Sequence, residues 1–105
     1  MKVNVKYIHC EQDKRIEETL KEKLDTLGDR YDWIKDATIY LKIDKEEHGH
    51  DKIVEILINT YGTEIYSEGQ AESFELALKK AMHGVNHQIE KNKGKYFEHA
   101  TSTPL

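Results

Sequence analysis

The chain of 105 residues has one cysteine, one proline, no excess of positive charge and no long apolar run. Each shortage excludes something. A lone Cys10 cannot form an intramolecular disulfide, so a reducing cytoplasm is the expected location. Apolar residues come in tetrads and pentads inside alternating patterns, too short for a bilayer span, so no membrane partner is expected. The N-terminal MKVNVKYIH lacks the apolar core of a signal peptide. A net charge of −4 excludes nucleic-acid binding by bulk positive charge; a polyanion would have to meet a local patch. Also missing are a glycine-rich phosphate loop, G-x-S-x-G, C-x-x-C and H-E-x-x-H, so neither an enzyme nor a small-molecule substrate or cofactor is expected.

What is present is periodicity. Residues 2–9 alternate, with Val3, Val5 and Tyr7 on one face and Lys2, Asn4 and Lys6 on the other, which predicts a half-buried strand. Asp13 is a suitable N-cap for a helix whose apolar stripe is Ile16, Leu20, Leu24 and Leu27, with Gly28 as its stop. The other side of that helix, Lys14, Glu18, Lys21 and Asp25, reads as a solvated face of alternating sign. After the connector DRYDWIKD come a strand with Ala37, Ile39, Leu41 and Ile43 inward, the loop KEEHGHDK, the strand IVEILIN, the turn YGT and a strand EIYSEG. Three strands joined this briefly must pair as an antiparallel meander. Ser73 then caps a long helix in which Phe74, Leu78, Ala81, Met82, Val85 and Ile89 form one buried face. The order β-α-β-β-β-α predicts an α+β domain over residues 1–95, a four-stranded sheet with both helices on one face. Residues 96–105, polar and holding Pro104, read as a short flexible tail.

Chemistry concentrates on the last helix. Residues 79–95 hold Lys79, Lys80, Lys91, Lys93 and Lys95 against the single acid Glu90, a local +4 that leaves −8 for the rest. At 100° per residue, Lys80, His83, His87 and Lys91 fall almost opposite the buried face. Cations near a helix C-terminus favour the dipole; the same row could equally meet phosphates without reading bases. His83 and His87 stand four apart, a spacing able to hold a metal, but no third ligand shares their face and no metal site is assigned. They read instead as surface histidines whose charge grows as pH falls. His9 and Cys10, adjacent in a strand, would point to opposite faces and so not converge as base and nucleophile.

The opening M-K-V-N-V strand, E-x-L-K-E-K-L-D-T-L, ATIYLKIDKEEH, GTEIYSEG and SFELALKKAMHGVNHQIEKNKGK together resemble the ribosome hibernation-promoting factors. That family includes ribosome-associated inhibitor A and was formerly labelled sigma-54 modulation protein. The resemblance spans residues 1–95 and implies a β-α-β-β-β-α fold similar to double-stranded RNA-binding domains. It implies a bacterial, non-catalytic inhibitor of translation that binds small-subunit rRNA, under stress, in the channel used by messenger and transfer RNA. It further implies rRNA contacts by basic residues of both helices: here Lys79, Lys80, His83, His87, Lys91, Lys93, Lys95 and, on the first helix, Lys21. The family's Arg-Gln-apolar-x-Lys-x-Lys-x-Lys run stands here as His87-Gln88-Ile89-Glu90-Lys91-Asn92-Lys93-Gly94-Lys95, with histidine for arginine. Gly84 stands where relatives often place a lysine, and costs about 1 kcal/mol of helix propensity relative to alanine. Residues 11–30 carry five basic and seven acidic side chains. Longer members have a further C-terminal domain, so this chain resembles a short form. A second possibility keeps the fold but binds a protein through the open sheet face of Lys2, Asn4, Lys6, Tyr40, Lys42, Leu57 and Tyr66. A weak homodimer is a further possibility, since an open sheet has exposed edges.

Overall fold

The computed structural model describes residues 1–46 and 48–91. Its elements are β1 (Lys2–Ile8), α1 (Lys14–Arg30), β2 (Ile34–Ile43), β3 (Lys52–Thr60), β4 (Glu64–Ala71) and α2 (Phe74–Lys91). The sheet order is β1-β2-β3-β4. The meander β2-β3-β4 is antiparallel throughout. β1 lies parallel to β2, with Val5 beside Ile39, because α1 carries the chain back across the sheet before β2 begins.

The inward row consists of half-buried Val3, Val5 and Tyr7, then Ala37, Ile39, Leu41, Val54, Ile56, Ile58 and Ile65, all fully enclosed. Onto it α1 presses the predicted Ile16, Leu20, Leu24 and Leu27. Asp13 caps α1 as expected, its carboxylate accepting from the Arg15 and Ile16 amides at 3.0 and 3.3 Å. Ser73 caps α2 through its hydroxyl, which accepts from the Leu76 amide at 3.2 Å.

Three boundaries differ from expectation. Gly28 does not stop α1, which runs on to Arg30 and ends where the Tyr31 amide donates to the Leu27 carbonyl. Gly28 lies instead beneath Met1, whose Cβ would stand 3.2 Å from an added Cβ. The connector DRYDWIKD is shorter than it reads: Ile34, Lys35 and Asp36 belong to β2, and Trp33 is buried, its ring 5.1 Å from that of Tyr31. β1 ends at Ile8, so His9 and Cys10 follow the strand rather than belonging to it.

The helices sit on the sheet in different ways. Leucine and isoleucine space α1 from β1 and β2, whereas α2 comes close to β3 and above all β4. The close seam is made of small residues. Ser67, Gly69 and Ala71 face inward from β4, and Ala77, Ala81 and Gly84 face them from α2. A Cβ added at Gly69 would fall 2.0 Å from the Ala77 carbonyl oxygen and 2.7 Å from the Ala81 nitrogen. One added at Gly84 would fall 2.1 Å from the Ser67 hydroxyl oxygen. Gly84 is therefore more than a weak helix former; it is where α2 makes room for β4. On the outer edge of β4, Lys80 donates to the Gln70 carbonyl at 3.0 Å and the Gln88 amide donates to the Tyr66 carbonyl. These side chains occupy edge acceptors that another strand could otherwise pair with.

Two substitutions test the seam by urea denaturation. Gly69→Ala meets backbone that cannot turn aside and is expected to cost about 2–3 kcal/mol, at the upper end of overpacking penalties. Gly84→Ala is expected not to deliver the roughly 1 kcal/mol that helix propensity promises, because Ser67 stands in the way. A clear gain at either position would contradict the close seam.

Candidate nucleic-acid interface on the helical face

Among the described residues one face of the four-stranded sheet is left uncovered, and its charge is laterally sorted. β1 contributes Lys2 and Lys6, while β3 and β4 contribute Glu55, Glu64 and Glu68. Much of this charge is matched within the sheet: Lys42 meets Glu55 at 2.8 Å, and the Tyr66 hydroxyl donates to the other Glu55 oxygen at 2.9 Å. Lys6 lies 5.9 Å from the centre of the Tyr40 ring.

The covered side ends in the outer surfaces of the two helices. On α2, Lys79, Lys80, His83, His87 and Lys91 are all exposed, so the predicted stripe exists as a surface feature of one helix. Lys93 and Lys95 lie outside the described residues. Ile89, fully buried, fixes the rotation of the last turns that carry His87 and Lys91. Within the stripe Lys80 is partly occupied, since its ammonium reaches the Gln70 carbonyl. The exposed Leu76 adds an apolar patch to the same surface.

Lys21 is paired with Glu17 at 3.0 Å. Glu17 in turn accepts from the Tyr7 hydroxyl at 2.7 Å, so this flank of α1 faces β1 and points away from α2. The opposite flank carries Lys23, Thr26, Leu27 and Arg30, spaced at i, i+3, i+4 and i+7. With Met82 and Asn86 of α2 these residues line an open cleft of about 340 Å³ between the helices. Leu27 is buried and Met82 half-buried, which gives the cleft an apolar floor; Lys23, Arg30 and Asn86 are exposed around it. Among the described residues neither Lys23 nor Arg30 enters an ion pair, whereas Lys21, Lys42 and Lys52 each do. The spacing of Lys23 and Arg30 was visible in the sequence. What was not visible was which flank of α1 would lie beside α2.

The other chemical candidates do not assemble. The Cys10 thiol donates to the Leu41 carbonyl at 3.1 Å, and burial pushes its pKa up, away from thiolate. His9 beside it adopts a left-handed backbone, φ 56°, in the bend after β1. The exposed His9 and the Leu41-bonded Cys10 therefore follow the strand, and the alternation expected of adjacent strand residues does not apply to them. Among the described residues no three His, Cys, Asp or Glu side chains gather as a metal would require, His83 and His87 included. No described helix is long and apolar enough to cross a membrane.

Fold and surface together define a small α+β protein with an ordered sheet, two helices on one face and exposed cations on both helices. The chain belongs to the family described as sigma 54 modulation protein / S30EA ribosomal protein, whose sequence profile matches residues 3–96. A ribosomal subunit interface protein from Coxiella burnetii has the same fold, with a TM-score of 0.76 at 20% identity over 90% of this chain and 99% of that one. The N-terminal domain of Thermus thermophilus Protein Y is similar too, with a TM-score of 0.72 at 18% identity over 87% of this chain and 98% of that one. No curated protein matches the chain by sequence.

The Tyr7–Glu17 bond that turns Lys21 away from α2 can be read by titration. Burial, then the bond to Glu17, pushes the Tyr7 hydroxyl up to about 12. The Tyr7 bond, then Lys21, lowers Glu17 below the usual carboxylate range. A depressed carboxyl contributes stability above its unfolded pKa and loses it as pH falls through the folded value. A raised phenol contributes stability below about 10 and loses it as pH rises towards 12. Tyr7→Phe is expected to flatten both the acid and the alkaline loss of urea stability. It should also remove one of the late-titrating tyrosinate absorbances, leaving that of Tyr66 near 12. An unchanged pH profile would contradict the bond.

Proposed function

We propose that this protein is a non-catalytic, cytoplasmic, ribosome-associated inhibitor of translation. It lays its helical face on small-subunit rRNA in the channel otherwise used by messenger and transfer RNA, and so silences ribosomes under stress. One observation carries this reading: among the described residues, cations without carboxylate partners stand on both helices, Lys23 and Arg30 on α1, Lys79 and Lys91 on α2. Membership of the family supports a ribosomal role, and the resemblance of folds to a ribosomal subunit interface protein agrees with it. An array of this kind suits RNA shape and phosphate recognition, in which affinity comes from neutralised backbone charge and needs no cofactor. Docking of a protein on the sheet face has less behind it. That face spends Lys42 and Tyr66 on Glu55 and presents both signs of charge.

Acidic neighbours set the strength of the complex. Glu22, Glu75 and Glu90 stand exposed on the same helices, and His87 occupies a position where a guanidinium would be permanently charged. Binding is therefore expected to be tight at low salt and to fall steeply as salt rises.

Co-sedimentation with isolated small subunits tests the proposal. The chain should pellet with them at low salt. Lys23→Ala with Arg30→Ala should reduce the slope of log affinity against log salt by about one for each phosphate left without its cation. Lys21→Ala should have little effect, and His87→Arg should strengthen binding. Failure to pellet at low salt would overturn the proposal, and a dominant effect of Lys21 would overturn the assignment of the face.

A further inference from the structure

Phosphate contact alone does not account for the cleft between α1 and α2. A row of cations that only tracks a backbone can stand on a flat polar surface, yet here Lys23 and Arg30 flank a recess floored by Leu27 and Met82. Its volume, about 340 Å³, lies at the lower end of the range of roughly 300–1,000 Å³ typical of small-ligand sites. The lining pairs an apolar floor with two cationic side chains, one side-chain amide, Asn86, and Thr26, whose hydroxyl donates to the Glu22 carbonyl. An inorganic phosphate would leave the floor wet, and an apolar ligand would leave the cations unmatched. A nucleotide satisfies both, because it joins a flat, largely apolar base with polar edges to an anionic group.

We infer that this cleft receives one unpaired nucleotide of the bound RNA, an inference that rests on the ribosomal reading above. The base lies on Leu27 and Met82, with the Arg30 guanidinium able to stack on its face. Asn86, which has both a donor and an acceptor, meets the base edge. Lys23 and Arg30 face the flanking phosphates. Arg30 belongs to the last turn of α1, where its charge also answers the negative end of the helix dipole, so an anion there does not confront an exposed C-terminus alone. The helical face thereby gains a preference for RNA that offers an unstacked base, which phosphate contacts alone cannot supply.

The test is a heteronuclear NMR titration of the full chain with ribonucleoside 5′-monophosphates, ribose 5-phosphate, a single-stranded oligoribonucleotide and a duplex RNA of equal length. The nucleotides should move the Leu27 and Met82 methyl signals and the Asn86 side-chain amide in a saturable way, and ribose 5-phosphate should not. The single strand should saturate the same signals at least about tenfold lower in concentration than either a mononucleotide or the duplex. Asn86→Trp, an exposed helix position that fills the cleft, should abolish these shifts. It should also weaken small-subunit binding by about tenfold with the salt slope unchanged. Equal shifts from ribose 5-phosphate would reduce the cleft to a phosphate patch and overturn the inference. So would equal affinity for mononucleotide and single strand, which would make it a free-nucleotide site, or duplex binding as tight as single-strand binding. If the wild-type chain fails to pellet with small subunits, the ribosomal reading fails whatever the NMR shows. If it pellets but Asn86→Trp binds as tightly, the inference about the cleft fails alone.

Discussion

The helical face depends on how closely α2 can approach β4, and that distance is set by side chains that are almost absent. Ala77, Ala81 and Gly84 meet Ser67, Gly69 and Ala71, and even one extra methyl at Gly69 would strike the α2 backbone. Seated this close, α2 buries Leu78, Val85 and Ile89 and has only one side left for solvent, the side that carries Lys79, His83, His87 and Lys91. Across the sheet α1 rides on leucines and stands off further. The apolar floor of the cleft is where these two modes of packing meet, at Leu27 and Met82. Backbone approach comes first, and the larger side chains fill the space it leaves.

Charge follows from this placement more than from composition. An acidic chain can present a cationic surface if its acids are used elsewhere, and several are. Glu17 is held by Tyr7 and Lys21, Glu55 by Lys42 and Tyr66, and Asp51 by Lys52. These pairs are partly exposed and individually contribute little to stability. Their larger effect is to remove Lys42 and Lys52 of the sheet and Lys21 on the β1-facing flank of α1 from the set of free cations. Among the described residues, the helical cations without a carboxylate include Lys23 and Arg30 beside the cleft and Lys79 and Lys91 on the outer side of α2, as well as Lys14 and Arg15 in the first turn of α1.

Much of the architecture was legible because periodicity reports burial directly. The alternation in β1 and β2, the stripe Ile16–Leu20–Leu24–Leu27 and the caps Asp13 and Ser73 all specify local structure that the tertiary fold leaves in place. Sequence and structure part where a residue's role depends on something distant. Gly28 reads as a helix stop but lies under Met1, and Gly84 reads as a helix defect but accommodates Ser67. Trp33 and Ile34 read as loop because their burial partners come from elsewhere in the chain. The α2 stripe needed only a helical wheel. Lys23 and Arg30 needed knowledge of which neighbour lies beside which flank, and nothing local to α1 encodes that. Lys21 stands out in the sequence instead, and the Tyr7–Glu17 bond shows where its flank faces.

On the proposed reading RNA meets the helices and not the sheet, and lysine footprinting distinguishes the two directly. The free chain and its complex with small ribosomal subunits would each be treated briefly with an amine-acetylating reagent and the modified positions read by mass spectrometry. Lys23, Lys79 and Lys91 are predicted to lose reactivity in the complex, while Lys2, Lys6 and Lys42 on the sheet stay as reactive as in the free chain. Protection of the sheet lysines with the helical ones unchanged would contradict the account.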